Sequence, residues 1–307
     1  MVFRSLIRTF GCMKDGNVWQ AFLRRLLLLF VLVMPLGAWA DSVLDSLYVV
    51  VWLKPNGDAE FTEKRMMHVD DTGTEGYTVV SNLMEGCHIK EYKLFDDHGE
   101  HFYTHVPDWD ALHTRNEKAL KCGVVESEPG TFCICWGLGH EGVREYWVNY
   151  TITNVVRSYA DYDAFYHQFI APGMEPLPRF MEVIISQGGD KDFPVGSVKA
   201  WKQGYKGELH VREHSVVAKK FSPLGNKEHV TLLCRLDKGI LEPSLSTDVA
   251  FKELLDDFTS AGKADKSTST KKKKGGHIGF LIVAGILLWA ALTAVLLYAV
   301  KRWKKKG

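Results

Sequence analysis

The sequence lacks the short motifs by which common enzyme classes are recognised. It contains no GxSxG elbow, no HExxH helix, no P-loop and no dinucleotide-binding glycine fingerprint. Each of these spacings places a nucleophile, a metal ligand or a phosphate-binding backbone where its chemistry requires it. The familiar hydrolase, zinc-protease and nucleotide-binding mechanisms therefore have no support here, although an enzyme of another kind stays open.

The central region also lacks excess positive charge. Residues 41–258 contain 22 Lys and Arg against 35 Asp and Glu, a formal charge of −13, although the whole chain is near neutral at +1. A region this acidic repels phosphate backbones, whereas nucleic-acid binding needs a basic surface. We therefore expect no nucleic-acid partner.

Long apolar runs are scarce, and the first of them lies near the N-terminus. Leu26–Leu36 follows two arginines and precedes a small-x-small exit that ends at Ala40. A charged start, an apolar stretch of ~7–15 residues and such an exit are typical of a secretory signal peptide. We predict a cleaved signal peptide at residues 1–40. An uncleaved N-terminal anchor is the alternative, but the run is short for a span of ~20 residues.

The second run, Ile278–Val300, contains no ionisable group and is long enough to cross a hydrocarbon core of ~30 Å. The residues at 259–277 are mostly Ser, Thr, Lys and Gly and predict a flexible basic tether. The basic tail at 301–307 is predicted to be cytoplasmic. With the export signal deciding the orientation, the sequence predicts a single-pass protein of the inner membrane whose N-terminal domain is extracytoplasmic.

Segments of strand length alternate with turns between the two runs, and Asn56-Gly57 is a tight hairpin signal. Gly73 and Gly76 with their polar neighbours predict a loop. The predicted strands are 46–53, 59–69, 88–95, 101–106, 131–136, 144–153, 179–186, 208–211, 215–221 and 228–236. Short helices are predicted at Trp109–Lys121 and Ser246–Phe258. The predicted fold is mainly β, with sandwich-like extracytoplasmic structure and a few short helices in addition to the transmembrane helix. This β-rich domain covers residues 41–258, either as one unit or as two subdomains divided near residues 155–175.

Five cysteines follow the predicted signal peptide, an odd number that allows at most two internal disulfides. Cys133 and Cys135 point to the same face of a predicted strand, and His140 lies close in sequence. These three residues are candidate metal ligands or redox groups, but the second pair of ligands that makes a zinc signal strong is missing. We favour cysteines that lie in the core or form disulfides, and we predict no metal and no cofactor.

Four tryptophans, Trp109, Trp136, Trp147 and Trp201, are candidates for a recognition surface, because Trp offers a large and rigid contact area. Trp109, Trp136 and Trp201 are kept as the candidate binding residues. Packing in the core is the competing interpretation, and we favour it because each tryptophan lies in an apolar or glycine-bounded strand context.

Several segments together carry a family resemblance: Tyr48–Glu63, Cys135–Gly139, Tyr146–Asn154 and Gly204–Gly207. On these segments the chain resembles bacterial predicted membrane proteins with the domain of unknown function numbered 2207, over residues 41–258 and the helix that follows. The resemblance implies an extracytoplasmic β-rich domain beside membrane helices. It implies no activity and no catalytic residue.

Three functions are compatible with this organisation. The first is a membrane-anchored extracytoplasmic binding or assembly module of the bacterial envelope, whose partner is an envelope or membrane protein or a glycan. The second is an envelope enzyme that uses Cys133, Cys135 and His140. The third is a structural subunit of a membrane complex.

Overall fold

The computed structural model describes residues 42–81, 83–96, 100–189 and 191–271, with side chains to residue 262. The predicted signal peptide, the predicted transmembrane helix and the basic tail lie outside these residues. Among the residues described, no helix combines the length and the apolar character that a bilayer crossing requires. The described chain is mainly β, which confirms this part of the predicted fold class.

The described residues form sixteen strands and two helices. In chain order the strands are β1 (Val43–Leu53), β2 (Ala59–Val69), β3 (Glu75–Val80), β4 (His88–Asp96), β5 (His101–Phe102), β6 (Thr104–His105), β7 (Lys121–Glu128), β8 (Thr131–Gly137), β9 (Gly142–Thr153), β10 (Val156–Ser158), β11 (Asp163–Ile170), β12 (Phe180–Gln187), β13 (Val198–Gln203), β14 (Glu208–Val211), β15 (Val216–Lys220) and β16 (Val230–Leu236). The helices are α1 (Arg115–Lys118) and α2 (Phe251–Lys271).

These strands make three sheets. Sheet A has eight strands in the order β14-β15-β12-β1-β2-β9-β4-β5, sheet B has the order β3-β8-β7-β6, and sheet C has the order β10-β11-β16-β13. Neighbouring strands are antiparallel except for two parallel pairs, β1 with β12 and β6 with β7.

The hairpin between β1 and β2 forms where it was predicted. Gly57 has a φ of +86°, and its amide donates to the carbonyl of Lys54 at 3.0 Å. A Cβ atom at this position would lie 2.9 Å from the carbonyl oxygen of Val156, so glycine suits both the turn and the close approach. Buried and solvent-facing residues then alternate along β2, as expected for a strand with one face in the core.

Sheets B and C lie side by side on the inner face of sheet A. Phe61 of β2 contacts Phe165 of sheet C, with ring centroids 6.5 Å apart, and Arg65 of the same strand lies over Trp136 of sheet B at 5.6 Å. The side chain of Ser81 donates to that of Gln168 at 2.6 Å, which joins the two smaller sheets. One core cluster includes residues from both sides of the 155–175 stretch, where the sequence allowed a division into two subdomains.

Helix α2 covers the outer face of sheet C. Phe251 and Phe258 are buried on it and pack in a cluster with Tyr159, Ala164 and Leu233. The amide of Phe251 donates to Asp161 Oδ1 at 2.8 Å and so fixes the start of the helix. The helix begins later than predicted and continues to Lys271, so the first part of the predicted tether is helical.

The helix predicted at Trp109–Lys121 is reduced to the four residues of α1, which a capping box at Thr114 initiates, and β7 begins at Lys121. Strand β3 lies where the sequence suggested a loop because of its glycines. Its Gly76 instead permits close packing, since an added Cβ atom would lie 2.5 Å from the indole of Trp136.

Candidate functional site

The outer face of sheet A is open in the described structure. The two described helices lie elsewhere, α1 beside sheet B and α2 on sheet C. Side chains at alternate positions of β1, β2, β9 and β12 face this side and are partly exposed. A mixed sheet with one face in the core normally carries polar residues on the other face, so the residue types found there are informative.

Aromatic side chains cross this open face from one strand to the next. The register places Tyr48 beside Lys64, and Lys64 beside Trp147. The contacting members, which we call the aromatic row, are Phe221, Phe180, Tyr48, Lys64, Trp147, Phe95 and Phe102. Their positions run from the end of β15 to β5, so at an interstrand spacing of ~4.8 Å the row is roughly 29 Å long.

Ring contacts hold the row together on both sides of Lys64. On one side Phe180 lies 5.2 Å from Tyr48 and 5.5 Å from Phe221. On the other side Phe95 stacks on Trp147 at 5.9 Å and contacts Phe102 at 5.7 Å. The two end members are the most accessible, because Phe102 is 70% exposed and Phe221 is 67% exposed.

Trp147 is the best-positioned member of the row. Its indole Nε1 donates to Glu145 Oε1 at 2.7 Å, and Glu145 forms an ion pair with Lys64 at 2.8 Å. The Lys64 ammonium group lies 5.1 Å from the indole centroid, within the range of a cation–π interaction. The polar atoms at the centre of the row are therefore satisfied within the protein, and the aromatic ring is presented in a defined orientation.

A buried polar network lies beneath the row on the inner face of β2. Arg65 Nη2 donates to Glu63 Oε2 at 2.8 Å, and the Tyr150 hydroxyl donates to Glu63 Oε1 at 2.8 Å. Thr78 on β3 donates to the same carboxylate at 2.6 Å. Burial, and then the nearby Glu63 charge, raises the pKa of Tyr150 well above its usual value. This network is enclosed, so we assign it to positioning sheet B against sheet A.

The candidate Cys/His site is only partly assembled. Cys133 is half-buried and Cys135 is buried on β8, and both thiols belong to the outer face of sheet B, as the alternation predicted. His140 is exposed in the loop that follows. Across the described ranges, no three His, Cys, Asp or Glu side chains are grouped as metal ligands. Burial raises the pKa of both thiols, that of Cys135 to about 12, which disfavours the reactive thiolate.

All five cysteines within the described residues are free thiols, so the disulfides that the odd count allowed do not form in this structure. Cys122 and Cys234 are buried in the core, and burial raises the pKa of each thiol, to about 11 and about 12. These two cysteines therefore have the environment of small apolar core residues.

The tryptophans kept as candidate binding residues are in three different places. Trp136 is fully buried between sheets B and A, and Trp201 packs under α2 with its ring 5.6 Å from that of Phe251. Trp109 is half-buried over Gly123 and donates from Nε1 to Glu75 Oε2 at 2.9 Å. The structure does not bring these three rings onto one surface, whereas Trp147 lies in the aromatic row.

The chain belongs to the family of predicted membrane proteins that carry the domain of unknown function numbered 2207 at the N-terminus. The family model for this domain matches residues 44–220, which is more than half of the chain. This match confirms the family that the sequence resembled. No curated protein matches the chain.

Solved structures similar to the chain are distant. Native yeast LTA4 hydrolase is 6% identical with a TM-score of 0.38, and the match covers 66% of this chain and 30% of the hydrolase. An M1 zinc metallopeptidase from Deinococcus radiodurans is 7% identical with a TM-score of 0.31, and the match covers 63% of this chain and 42% of the peptidase. The match thus spans less than half the length of either protein.

Proposed function

We propose that the protein is a membrane-anchored binding or assembly module of the bacterial envelope, and that the aromatic row is its contact surface. The observation that carries this proposal is the row itself, in which six aromatic rings and one ammonium group cross an open sheet face. Contiguous exposed apolar patches mark interaction sites. Aromatic side chains are enriched there because they bury a large contact area.

A protein partner suits the row better than a glycan does. Four of its six rings are phenylalanines, which have no polar atom to bond a sugar hydroxyl, and the Trp147 Nε1 group already donates to Glu145. A row roughly 29 Å long matches the width of a standard protein–protein contact rather than a small-molecule pocket. We therefore propose an envelope or membrane protein as the partner, with a glycan as the alternative.

The proposed setting is the inner membrane. Residues 1–40 act as the export signal, the described domain lies outside the cytoplasm, and residues 278–300 cross the bilayer once, with the basic tail inside. The description of the family as predicted membrane proteins supports membrane association. The apolar character of residues 278–300 supports the position of the span.

Capture of partners from intact cells tests the contact surface. The full chain is crosslinked in cells, recovered from gently solubilised membranes and compared with the double variant Trp147→Ala, Phe102→Ala. The matched control is Leu112→Ala, which shortens a side chain that is 92% exposed outside the row. We expect a protein that the wild type and Leu112→Ala recover and the double variant loses. Recovery by all three chains contradicts the proposed surface, and recovery of a polysaccharide instead identifies the glycan alternative.

Protease treatment of spheroplasts tests the proposed orientation separately. The domain at 41–258 is expected to be digested from outside, while an epitope fused after residue 307 is digested only once the membrane is permeabilised. Protection of the domain in intact spheroplasts would overturn the proposed location and leave the question of the contact surface to the capture experiment.

A further inference from the structure

The formal charge of the domain is distributed unevenly. Residues 41–178 carry the whole net charge of −13, with 10 Lys and Arg against 23 Asp and Glu. Residues 179–258 have 12 of each and are neutral. Within this second part, Lys202 lies near the end of β13, and the two loops at 204–207 and 221–229 contain Lys206 and Lys227.

These two loops lie together at one end of the domain. The His229 amide donates to the Gly204 carbonyl at 3.1 Å, and the Lys206 amide donates to Glu228 Oε1 at 2.9 Å. Lys220 Nζ lies 3.2 Å from Glu228 Oε2 and is neutralised there. The exposed lysines around them, which we call the basic end, are Lys202, Lys206 and Lys227.

The basic end is not neutralised by the protein itself. Among the described side chains, none of its three lysines has a carboxylate within ion-pair distance. An open cavity of about 490 Å³ lies between the loops and is lined by Lys206, Lys220 and Lys227 with Asn226 beside them. Its one carboxylate, Glu228, is already bonded to the Gly225 amide at 2.7 Å and to Lys220.

Helix α2 leaves the domain at this same end. Its Gly262 lies against the Gln203 side chain, where an added Cβ atom would be 2.9 Å from the amide nitrogen. Gln203 follows Lys202 directly and is the last residue of β13. The helix continues to Lys271, and the predicted span begins at residue 278. At ~1.5 Å per helical residue and at most ~3.6 Å per extended residue, the basic end lies no more than roughly 40 Å from the start of the span.

We propose that the basic end docks on anionic lipid headgroups of the bilayer in which the chain is anchored. This inference rests on the proposed anchoring by residues 278–300. Lysines close to an anionic surface are attracted to it, and the attraction falls off within a Debye length of ~8–10 Å. Because the domain is tethered, a weak attraction is sufficient to hold this end against the surface. The acidic part of the domain is repelled and is held away from the membrane.

Lysine footprinting of the full chain tests this inference. The chain is reconstituted into phosphatidylcholine vesicles with and without phosphatidylglycerol and treated with an amine-reactive reagent. Labelling at each lysine is then measured by mass spectrometry. We expect Lys202, Lys206 and Lys227 to be labelled about fivefold more slowly in the anionic vesicles, the change that corresponds to an attraction of about 1 kcal/mol for one lysine near the surface. High salt is expected to remove the difference. The exposed lysines Lys90, Lys93 and Lys121 should not change.

A charge-reversal pair provides the control for folding. The variant Lys206→Glu, Lys227→Glu is expected to lose the lipid-dependent protection of Lys202, whereas Lys90→Glu, Lys93→Glu is expected to retain it. Equal labelling in both kinds of vesicle, with the chain retained by both, overturns the inference and leaves the anchoring intact. Retention of the chain by anionic vesicles alone supports docking of the basic end and contradicts the anchoring by residues 278–300. Retention by neither kind of vesicle contradicts both the docking and the anchoring.

Discussion

The outer faces of sheets A and C carry similar side chains but differ in what covers them. On sheet C, helix α2 places Phe251 and Phe258 against Tyr159, Tyr166 and Trp201. No described element lies on the outer face of sheet A, where the rings of the aromatic row contact one another and stay partly exposed. An aromatic face is therefore core or surface according to whether a further element reaches it, and its residue types do not decide this.

The comparison is tested most strongly by removing one phenylalanine from each face. Phe251→Ala removes a buried ring under α2 and is expected to lower the free energy of unfolding by about 3 kcal/mol. Phe102→Ala, on the open face, is expected to change it by no more than about 0.5 kcal/mol. Urea unfolding of the full chain in detergent measures both values. Equal losses for the two variants would contradict the distinction between a covered and an open face.

The core between sheets A and C is tested by the pH dependence of stability. His167 lies among Phe61, Phe165 and Phe169, and burial lowers its pKa to about 3. An unfolded histidine titrates near ~6.5, so below that pH the unfolded chain binds one proton more than the folded chain. This residue therefore makes stability fall as pH decreases from about 6.5 towards 3, by up to about 1.4 kcal/mol per pH unit.

Replacing His167 should remove its contribution to the pH dependence of stability. We expect His167→Leu to show a shallower loss of unfolding free energy between about pH 7 and pH 5, by roughly 2 kcal/mol over the interval. Denaturant unfolding at several pH values measures it. If both chains give the same pH slope, His167 is not held neutral by burial.

The open face is tested further at its central ring. Trp147→Ala removes the stacking with Phe95 and the contact with Lys64, and is expected to cost about 1 kcal/mol. Trp147→Phe retains the stacked ring and serves as the matched variant with a smaller loss. Thermal or urea unfolding gives both values, and a loss of about 3 kcal/mol or more for Trp147→Ala would show that the ring is part of a core.

The smallest expected effect concerns the order in which the cysteine thiols react. Cys133 is half-buried, whereas Cys122 and Cys234 are buried, so a maleimide should label Cys133 first among the described cysteines in the folded protein. Mass spectrometry of peptides after brief labelling measures the order. Labelling of Cys122 or Cys234 at the same rate would contradict the burial of these two thiols in the core.

Much of the fold was accessible to sequence reasoning because it depends on local pattern. The limits predicted for β2 and β14 are those observed, and Asn56-Gly57 forms the predicted hairpin. Strands β3, β7, β10, β11 and β13 were not predicted. In β3 the glycine that suggested a loop serves close packing against Trp136, a role that only the neighbouring sheet makes visible.

The candidate site was less accessible. The tryptophan that lies in the aromatic row, Trp147, was one of the four considered for a recognition surface, but it was not among the three retained. The other members were not identified, although a sequence signal existed, since Tyr48, Lys64 and Trp147 occupy outward positions of alternating strands. That signal predicts which face of the sheet each side chain lies on, but it does not predict which residue of the adjacent strand lies beside it.

By itself the sequence determined the β character, the first hairpin, the acidic central region and the family, because these follow from composition, local periodicity and motifs. Only the tertiary structure decided that Trp136 and Trp201 are covered while Trp147 joins six other side chains on an open face. The reason is physical: strands far apart in the chain are aligned by their hydrogen-bonded register and by packing of the core, and neither can be read from one strand alone.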